Sequence, residues 1–90
     1  MTTIQKVRQK IIEREYYLSS HAEEEMADDK LEREDLEHAI LKGKIGKKLT
    51  EDIRGIRYRI DGLSEDGRPI QVVCRLKENG CLIIITVYAL

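Results

Sequence analysis

The sequence lacks a long apolar segment. No run of apolar residues is long enough to span a membrane, and the first residues, Met-Thr-Thr-Ile-Gln-Lys, lack the apolar stretch of a secretory signal peptide. Internal repeats and low-complexity linkers are absent too. The 90 residues suffice for one core shared by a sheet and its helices, which excludes a second domain. We therefore expect one cytoplasmic domain over residues 1–90.

Neither sign of charge is in excess. Charged residues form 37% of the chain, yet the formal net charge is only -1. The overall charge therefore gives no signature of nucleic-acid binding.

The sequence also has few metal-ligating residues in useful patterns. The two cysteines, Cys74 and Cys81, flank a predicted hairpin turn several residue pairs apart, which is beyond bridging distance. Their spacing, with two distant histidines, matches no zinc pattern. The acidic run at positions 23–29 lies on a predicted helix, where adjacent side chains point in different directions. We expect free thiols, a solvated acidic surface, no metal ion and no cofactor.

The longest β-branched run, residues 68–88, predicts a β-hairpin. Asn79-Gly80 suits a tight turn, and the flanking Val and Ile residues favour strands. A turn of either two or four residues would pair even-numbered positions on one strand with odd-numbered positions on the other. This pairing predicts a core face made of Val72, Cys74, Leu76, Ile83, Ile85 and Val87. The opposite face would hold any functional site, and its predicted residues are Gln71, Val73, Arg75, Ile84, Thr86 and Tyr88.

The rest of the chain predicts helices first and strands afterwards. Capping boxes at Thr2 and Ser20 begin two helices, residues 16–18 form an extended link between them, and a third helix ends at Gly43. Residues 45–50 and 56–61 are predicted strands. The expected fold is α+β, with N-terminal helices packed on one face of a C-terminal four-stranded antiparallel sheet.

Alternation in the second of these strands places basic residues opposite the core. If Ile56, Tyr58 and Ile60 face the helices, then Arg57 and Arg59 share the polar sheet face with Arg75 and Gln71. Such a row of arginines suits RNA phosphates, and Tyr88 could stack on a base. The alternative is an ordinary solvated face on which the arginines are structural partners of Asp61, Glu65 or Glu78.

Several motifs, in the same order along the chain, resemble the family called domain of unknown function 4258. They are Thr3-Ile-Gln5, Leu18-Ser-Ser-His-Ala22 with Met26, Leu36-Glu-His-Ala-Ile40 with Gly43, Asp66-Gly-Arg-Pro69, and Ile84-Ile-Thr-Val-Tyr88. The resemblance covers nearly the whole chain. It implies a fold similar to the BrnT and RelE type of bacterial toxins, which are ribonucleases held inactive by an antitoxin protein.

The chain departs from this family at three positions. Glu25 and Asp29 stand where relatives commonly have arginines, and Gln71 stands where a histidine is common. The matching positions that remain are His21 and Arg68. The resemblance therefore implies that this protein has lost some of the basic residues that would bind RNA or take part in catalysis.

Three residues are candidates for catalysis. His21 could act as a general acid or base, or it could order the link to the first helix. Arg68 could bind the scissile phosphate, or it could pair with Asp66 or Asp61 and hold the turn. Tyr88 is a second candidate for proton transfer.

Two functions follow from these observations. The first is a toxin component that binds or cleaves RNA, a metal-independent endoribonuclease that uses the 2′-hydroxyl of the RNA as nucleophile. Its partners would be RNA and an antitoxin encoded by a neighbouring gene. The second is a non-catalytic module that retains the toxin fold and binds a protein.

Overall fold

A computed structural model describes residues 1–90 as three helices and a five-stranded mixed sheet. The elements are α1 (Thr3–Ile12), β1 (Tyr16–Leu18), α2 (Ser20–Asp28), α3 (Arg33–Lys42), β2 (Lys44–Leu49), β3 (Arg57–Leu63), β4 (Pro69–Leu76) and β5 (Leu82–Ala89). The strand order is β1-β5-β4-β3-β2. The α+β class is confirmed, but a purely antiparallel sheet of four strands is wrong, because β1 adds a parallel strand. None of the three helices could cross a lipid bilayer.

The predicted link at residues 16–18 is the additional strand. β1 runs parallel to β5, with Tyr16 beside Leu82 and Leu18 beside Ile84. Tyr16 and Leu18 pack against the core, which anchors the segment on that face. The free edge of β5 supplies the hydrogen-bonding partners that an isolated extended segment lacks.

Capping side chains define where the first two helices begin. The Thr2–Gln5 capping box is confirmed. The cap of α2 is Ser19 and not Ser20: its Oγ accepts the Ala22 N–H at 3.0 Å and donates to the Ile85 carbonyl at 2.7 Å. A single hydroxyl therefore satisfies a free N–H at the start of α2 and ties that helix to β5.

The core lies between the helices and one face of the sheet. Leu36 and Ile40 of α3 are fully buried, and they belong to the same cluster as Ile60 of β3 and Val7 of α1. The hairpin residues of this cluster are Ile70, Val72, Cys74, Leu82, Ile84 and Val87. Each fully buried Leu or Ile contributes about 1.5–3 kcal/mol, so this cluster is the main source of stability.

The register of the hairpin corrects one part of the predicted core. Gln71, Val72 and Val73 pair with Tyr88, Val87 and Thr86, as even-with-odd pairing requires. A β-bulge follows, after which Cys74 pairs with Ile84 and Leu76 with Leu82. Val72, Cys74 and Val87 therefore face the helices as predicted. Ile83 and Ile85 do not, and their expected places are taken by Leu82 and Ile84, which are fully buried.

The length of the loop explains this change. The Lys77 N–H donates to the Cys81 carbonyl at 2.8 Å, which closes a loop of the three residues between them. Gly80 takes a φ of 90°, a value that favours glycine. A loop with an odd number of residues pairs even positions with even ones. The bulge at Ile85 then restores the predicted pairing toward the strand end.

Candidate functional site

The face of the sheet turned away from the helices, here called the outer face, holds most of the predicted RNA-contacting residues. The strand register arranges it in rows across the sheet. One row contains Tyr17, Ile83 and Arg75, with Arg57 and Leu49 beyond; the next contains Thr86, Val73, Arg59 and Lys47; the last contains Tyr88, Gln71, Asp61 and Lys44. The sequence was therefore sufficient to place Arg57, Arg59, Arg75, Gln71 and Tyr88 on one surface.

Arg59 is bound by a neighbouring carboxylate on the same strand. Its Nε lies 2.9 Å from Asp61 Oδ1, and its Nη2 lies 3.2 Å from Asp61 Oδ2. Gly46 of β2 lies directly against this pair, where a Cβ atom would collide with the Asp61 carboxylate. The Asp61 carboxylate therefore satisfies the Arg59 guanidinium and offsets its positive charge, and the pair has a structural role.

Arg57 and Arg75 instead face a carboxylate that they share with a third arginine. Asp52, in the loop between β2 and β3, lies 3.6 Å from Arg57 Nε, 3.9 Å from Arg75 Nη1 and 3.6 Å from Arg54 Nε. We call these four residues the Asp52 cluster. Neither Asp52 nor Arg54 was predicted as a site residue, because the loop carries no strand or helix signal.

The charges of the Asp52 cluster are unbalanced. Three guanidinium groups surround one carboxylate, and Arg57 Nε is buried without a hydrogen-bond partner. The backbone N–H of Arg54 donates to the Asp52 carboxylate at 2.9 Å. This hydrogen bond, followed by the charges of Arg54, Arg57 and Arg75, lowers the pKa of Asp52. The cluster therefore keeps Asp52 ionised and retains an excess of positive charge.

Two tyrosines lie on the outer face, on strands β1 and β5. Tyr88 donates its hydroxyl to Gln71 Oε1. Tyr17 is 41% exposed, and Lys77 Nζ lies 2.8 Å from its hydroxyl and 5.3 Å from its ring centroid. Tyr17 was missed from the sequence because only the parallel pairing of β1 with β5 brings it onto this face. Tyr88 is half-buried, so Tyr17 has the more exposed ring. Exposed aromatic rings can stack on unpaired bases.

The near-zero net charge conceals a strong separation of charge along the chain. Residues 42–59 contain seven Lys and Arg and two Asp and Glu, whereas residues 23–37 contain nine Asp and Glu and two Lys and Arg. The basic segment forms β2, the following loop and the start of β3. The acidic segment forms most of α2 and the start of α3. The basic charge is thus concentrated at the β2 and β3 end of the sheet.

His21 lies in the first turn of α2, beside the part of the β5 edge that β1 does not cover. Its Nε2 is 3.3 Å from Glu25 Oε1, and its side chain is 66% exposed. The same Glu25 oxygen accepts the Thr86 hydroxyl and the Val87 N–H. Glu25 therefore holds the His21 ring close to the strand that also carries Tyr88, two residues beyond Thr86.

Two acidic residues, Glu25 in α2 and Asp29 at its C-cap, have structural partners. Glu25 accepts the Val87 N–H at 3.1 Å, and Asp29 Oδ2 accepts the Ala89 N–H at 2.9 Å. β1 covers β5 only as far as Ile84, so these carboxylates satisfy donors on the uncovered part of the strand. Both residues therefore complete an open sheet edge. The prediction of a fully solvated acidic surface is therefore wrong for these two side chains.

Arg68 is engaged in holding the turn between β3 and β4 to the end of α2. Its Nη1 donates to the Asp29 carbonyl at 2.7 Å, its Nη2 to the Lys30 carbonyl at 3.1 Å, and its Nε to Asp66 at 3.2 Å. The Ser64 hydroxyl and Arg68 lower the pKa of Asp66. The predicted pairing with Asp66 is present. Because all three kinds of nitrogen have partners, the structure does not bring Arg68 to the outer face as a free phosphate ligand.

One further histidine borders a concavity that the sequence did not indicate. His38 Nδ1 lies 2.8 Å from the Leu63 carbonyl, so Nδ1 carries the proton when the ring is neutral and donates it there. The concavity has a volume of about 410 Å³, and Lys42, Lys44 and Asp61 also line it. It opens at the corner between α3 and β2, beside the basic end of the sheet.

Comparison with known proteins identifies the family and nothing narrower. Neither the curated proteins nor the solved structures give a significant match to the chain. The sequence pattern of the family described as Domain of unknown function (DUF4258) matches residues 18–89. This match begins at the end of β1 and includes His21, the outer-face residues of β3, β4 and β5, and the Asp52 cluster. The chain therefore belongs to the DUF4258 family.

Proposed function

We propose that this protein binds RNA through the outer face of its sheet, as the toxin component of a bacterial toxin–antitoxin pair. The observation that supports this most directly is the Asp52 cluster, where three arginines share one carboxylate on the same sheet face as the exposed Tyr17 and the half-buried Tyr88. RNA would provide phosphates for the arginines and unpaired bases for Tyr17 and Tyr88. The similarity to BrnT and RelE toxins suggested by the sequence motifs supports the same class of ligand.

Single-stranded RNA fits this surface better than a duplex does. Arg57 and Arg75 lie in the middle of the sheet, with Tyr17 at one end of their row. A strand that crosses the sheet along this row would place phosphates on the arginines and a base on Tyr17. Stacking on aromatic rings requires bases that are not already stacked in a helix. The proposed ligand is therefore an unpaired segment of RNA.

Cleavage of the bound RNA is a second candidate function, and the His21–Glu25 contact favours it. The 2′-hydroxyl would attack the adjacent phosphorus and lose its proton to His21, while the 5′-oxygen leaves and takes up a proton from a second group. Tyr88 is the candidate for that second group, and Glu25 would orient the imidazole. This reaction needs no metal ion. Arg75 would take over phosphate neutralisation, because Arg68 is engaged elsewhere.

RNA binding is tested with a fluorescein-labelled oligouridine at low and high salt. We expect salt-sensitive binding by the wild type, and a weaker affinity with a smaller salt slope for Arg75→Ala, by about 0.7 for each lost phosphate contact. Lys6→Ala is the matched control, because Lys6 is an exposed cation on α1, in the helical layer. Equal losses in both variants would show that only overall charge matters. A wild type without salt-sensitive binding would refute the RNA proposal and favour a protein-binding module.

Cleavage is tested separately, by incubating messenger RNA with the purified protein in a chelating buffer. We expect cleavage by the wild type and its loss in His21→Ala, with oligouridine affinity unchanged. Intact RNA in every sample, together with normal binding, would leave RNA binding as the function and reject catalysis.

A further inference from the structure

The Asp52 cluster differs from the other ion pairs of the outer face in its geometry. The three distances from the Asp52 carboxylate to guanidinium nitrogens lie between 3.6 and 3.9 Å. Charge-assisted hydrogen bonds of this kind usually measure about 2.7–2.9 Å. Arg59 and Asp61 on the same face reach 2.9 Å. The carboxylate of Asp52 is therefore too small to satisfy the arginines around it, and Arg57 Nε has no hydrogen-bond partner.

We propose that Asp52 occupies the position of an RNA phosphate among Arg54, Arg57 and Arg75, and that RNA binding displaces it together with its loop. This inference rests on the proposed function and adds a specific phosphate site to it. A phosphodiester carries one negative charge, as the carboxylate does, but it spreads that charge over a larger tetrahedral group. Its oxygens can reach guanidinium groups that two carboxylate oxygens reach only loosely.

The loop that carries Asp52 is suited to such a displacement. Apart from its long contacts with Arg57 and Arg75, Asp52 is held within its own turn: its Oδ1 accepts the Arg54 N–H, and its carbonyl accepts the Gly55 N–H at 3.1 Å. Ile53 is fully exposed and packs on nothing. The turn can therefore move as a unit without breaking contacts in the core. A Cβ atom at Gly55, whose φ is 126°, would lie 3.5 Å from Arg75 Cδ, and the Arg75 side chain is only 15% exposed, so the turn covers this arginine.

Displacement has a measurable consequence for affinity. While Asp52 is in place, only the fraction of molecules with the loop moved away can bind a phosphate at these arginines, and the apparent affinity is reduced by that fraction. Asp52→Asn keeps an oxygen that can accept the Arg54 N–H but removes the competing charge. We expect this variant to bind oligouridine more tightly than the wild type, by a factor on the order of ten.

Glu51→Gln is the matched control. Glu51 is the adjacent carboxylate, it is exposed, and its replacement changes the net charge by the same amount. We expect Glu51→Gln to raise the affinity by much less than Asp52→Asn does. Adding Arg75→Ala to Asp52→Asn should abolish most of the gain, since the released site then lacks a main phosphate ligand. Asp52→Ser, which also keeps a short acceptor, should reproduce the gain if the asparagine variant folds poorly.

The outcomes separate this inference from the proposal on which it rests. Equal gains for Asp52→Asn and Glu51→Gln, with wild-type binding that depends on Arg75, would reject the phosphate position of Asp52 and leave RNA binding intact. A weaker affinity for Asp52→Asn would also reject it, because Asp52 would then position the arginines for RNA. Absence of salt-sensitive binding in every variant would overturn both proposals.

Discussion

The most direct test of the structure compares two adjacent isoleucines in β5. Ile84 is fully buried, whereas Ile85 lies at the bulge and is half-exposed. Strict even-with-odd pairing of the hairpin would exchange these environments and bury Ile85. Replacement of each residue by alanine removes the same atoms from the same strand. The two variants therefore differ in burial and local pairing and in no other respect.

We expect Ile84→Ala to lower the free energy of unfolding by about 2–5 kcal/mol, the usual cost of emptying a fully buried isoleucine site. Ile85→Ala should cost less than about 1.5 kcal/mol, because only part of its surface leaves water on folding. A domain of this length has a total stability of about 5–13 kcal/mol. The Ile84 variant would thus lose a large share of it, and its melting temperature should fall by about 10 °C or more.

Urea unfolding followed by circular dichroism measures both variants. The denaturant slopes should match that of the wild type, so that the midpoints report stability alone. If Ile84→Ala is too unstable to purify, Ile84→Val and Ile85→Val provide a milder pair, with an expected cost of about 0.5–1.5 kcal/mol at the buried site. An equal or larger cost at Ile85 in either pair would refute the bulge and the core assignment of Ile84.

Three further predictions concern stability and thiol chemistry. Glu25→Ala should lower the free energy of unfolding by about 1–3 kcal/mol, since it leaves the Val87 N–H and the Thr86 hydroxyl without their acceptor. Glu24→Ala, at an exposed neighbouring position, should change the free energy little, and equal effects in a urea titration would argue against the edge contact. Arg68→Ala should also be destabilising, by a similar amount, and should leave oligouridine affinity unchanged; a stable variant with weakened binding would instead place Arg68 at the RNA. Burial raises the pKa of Cys74 to about 12, so a thiol reagent at mild alkaline pH should modify Cys81 alone in the folded protein and both cysteines in denaturant.

The sequence predicted those parts of the fold that depend on local patterns. The capping box at Thr2, the three helices and the stop at Gly43 all follow from contacts within a few residues. The failures involve partners distant in sequence. Residues 16–18 have the composition of a strand, but only the free edge of β5 makes them one. The bulge at Ile85 depends on a three-residue loop. The Asn79-Gly80 pair is compatible with such a loop but does not determine its length.

The candidate site, like the fold, could be predicted from the sequence only where it depends on local patterns. Alternation along β3 and β4 suffices to place Arg57, Arg59 and Arg75 on one face, because a strand has a period of two. Of their partners, Asp61 was one of the predicted carboxylates, and its pairing with Arg59 is confirmed. Asp52 was not predicted, because it belongs to a loop whose path across the sheet depends on tertiary contacts.

The structure also gives a role to two acidic residues that the family resemblance marks as departures from the usual pattern. At the sequence level, Glu25 and Asp29 suggest the loss of basic residues that would serve RNA. In the structure, both carboxylates accept N–H groups from the uncovered part of β5 and thereby close that edge against another strand. At the opposite edge, β2 is interrupted by the irregularity at Gly46 and carries exposed lysines, which also disfavours strand addition. Both edges are thus protected against the addition of another strand. The unbalanced positive charges, those of the Asp52 cluster, lie on the outer face. The acidic helix is then compatible with RNA binding, because it stabilises the sheet whose other end holds the basic cluster.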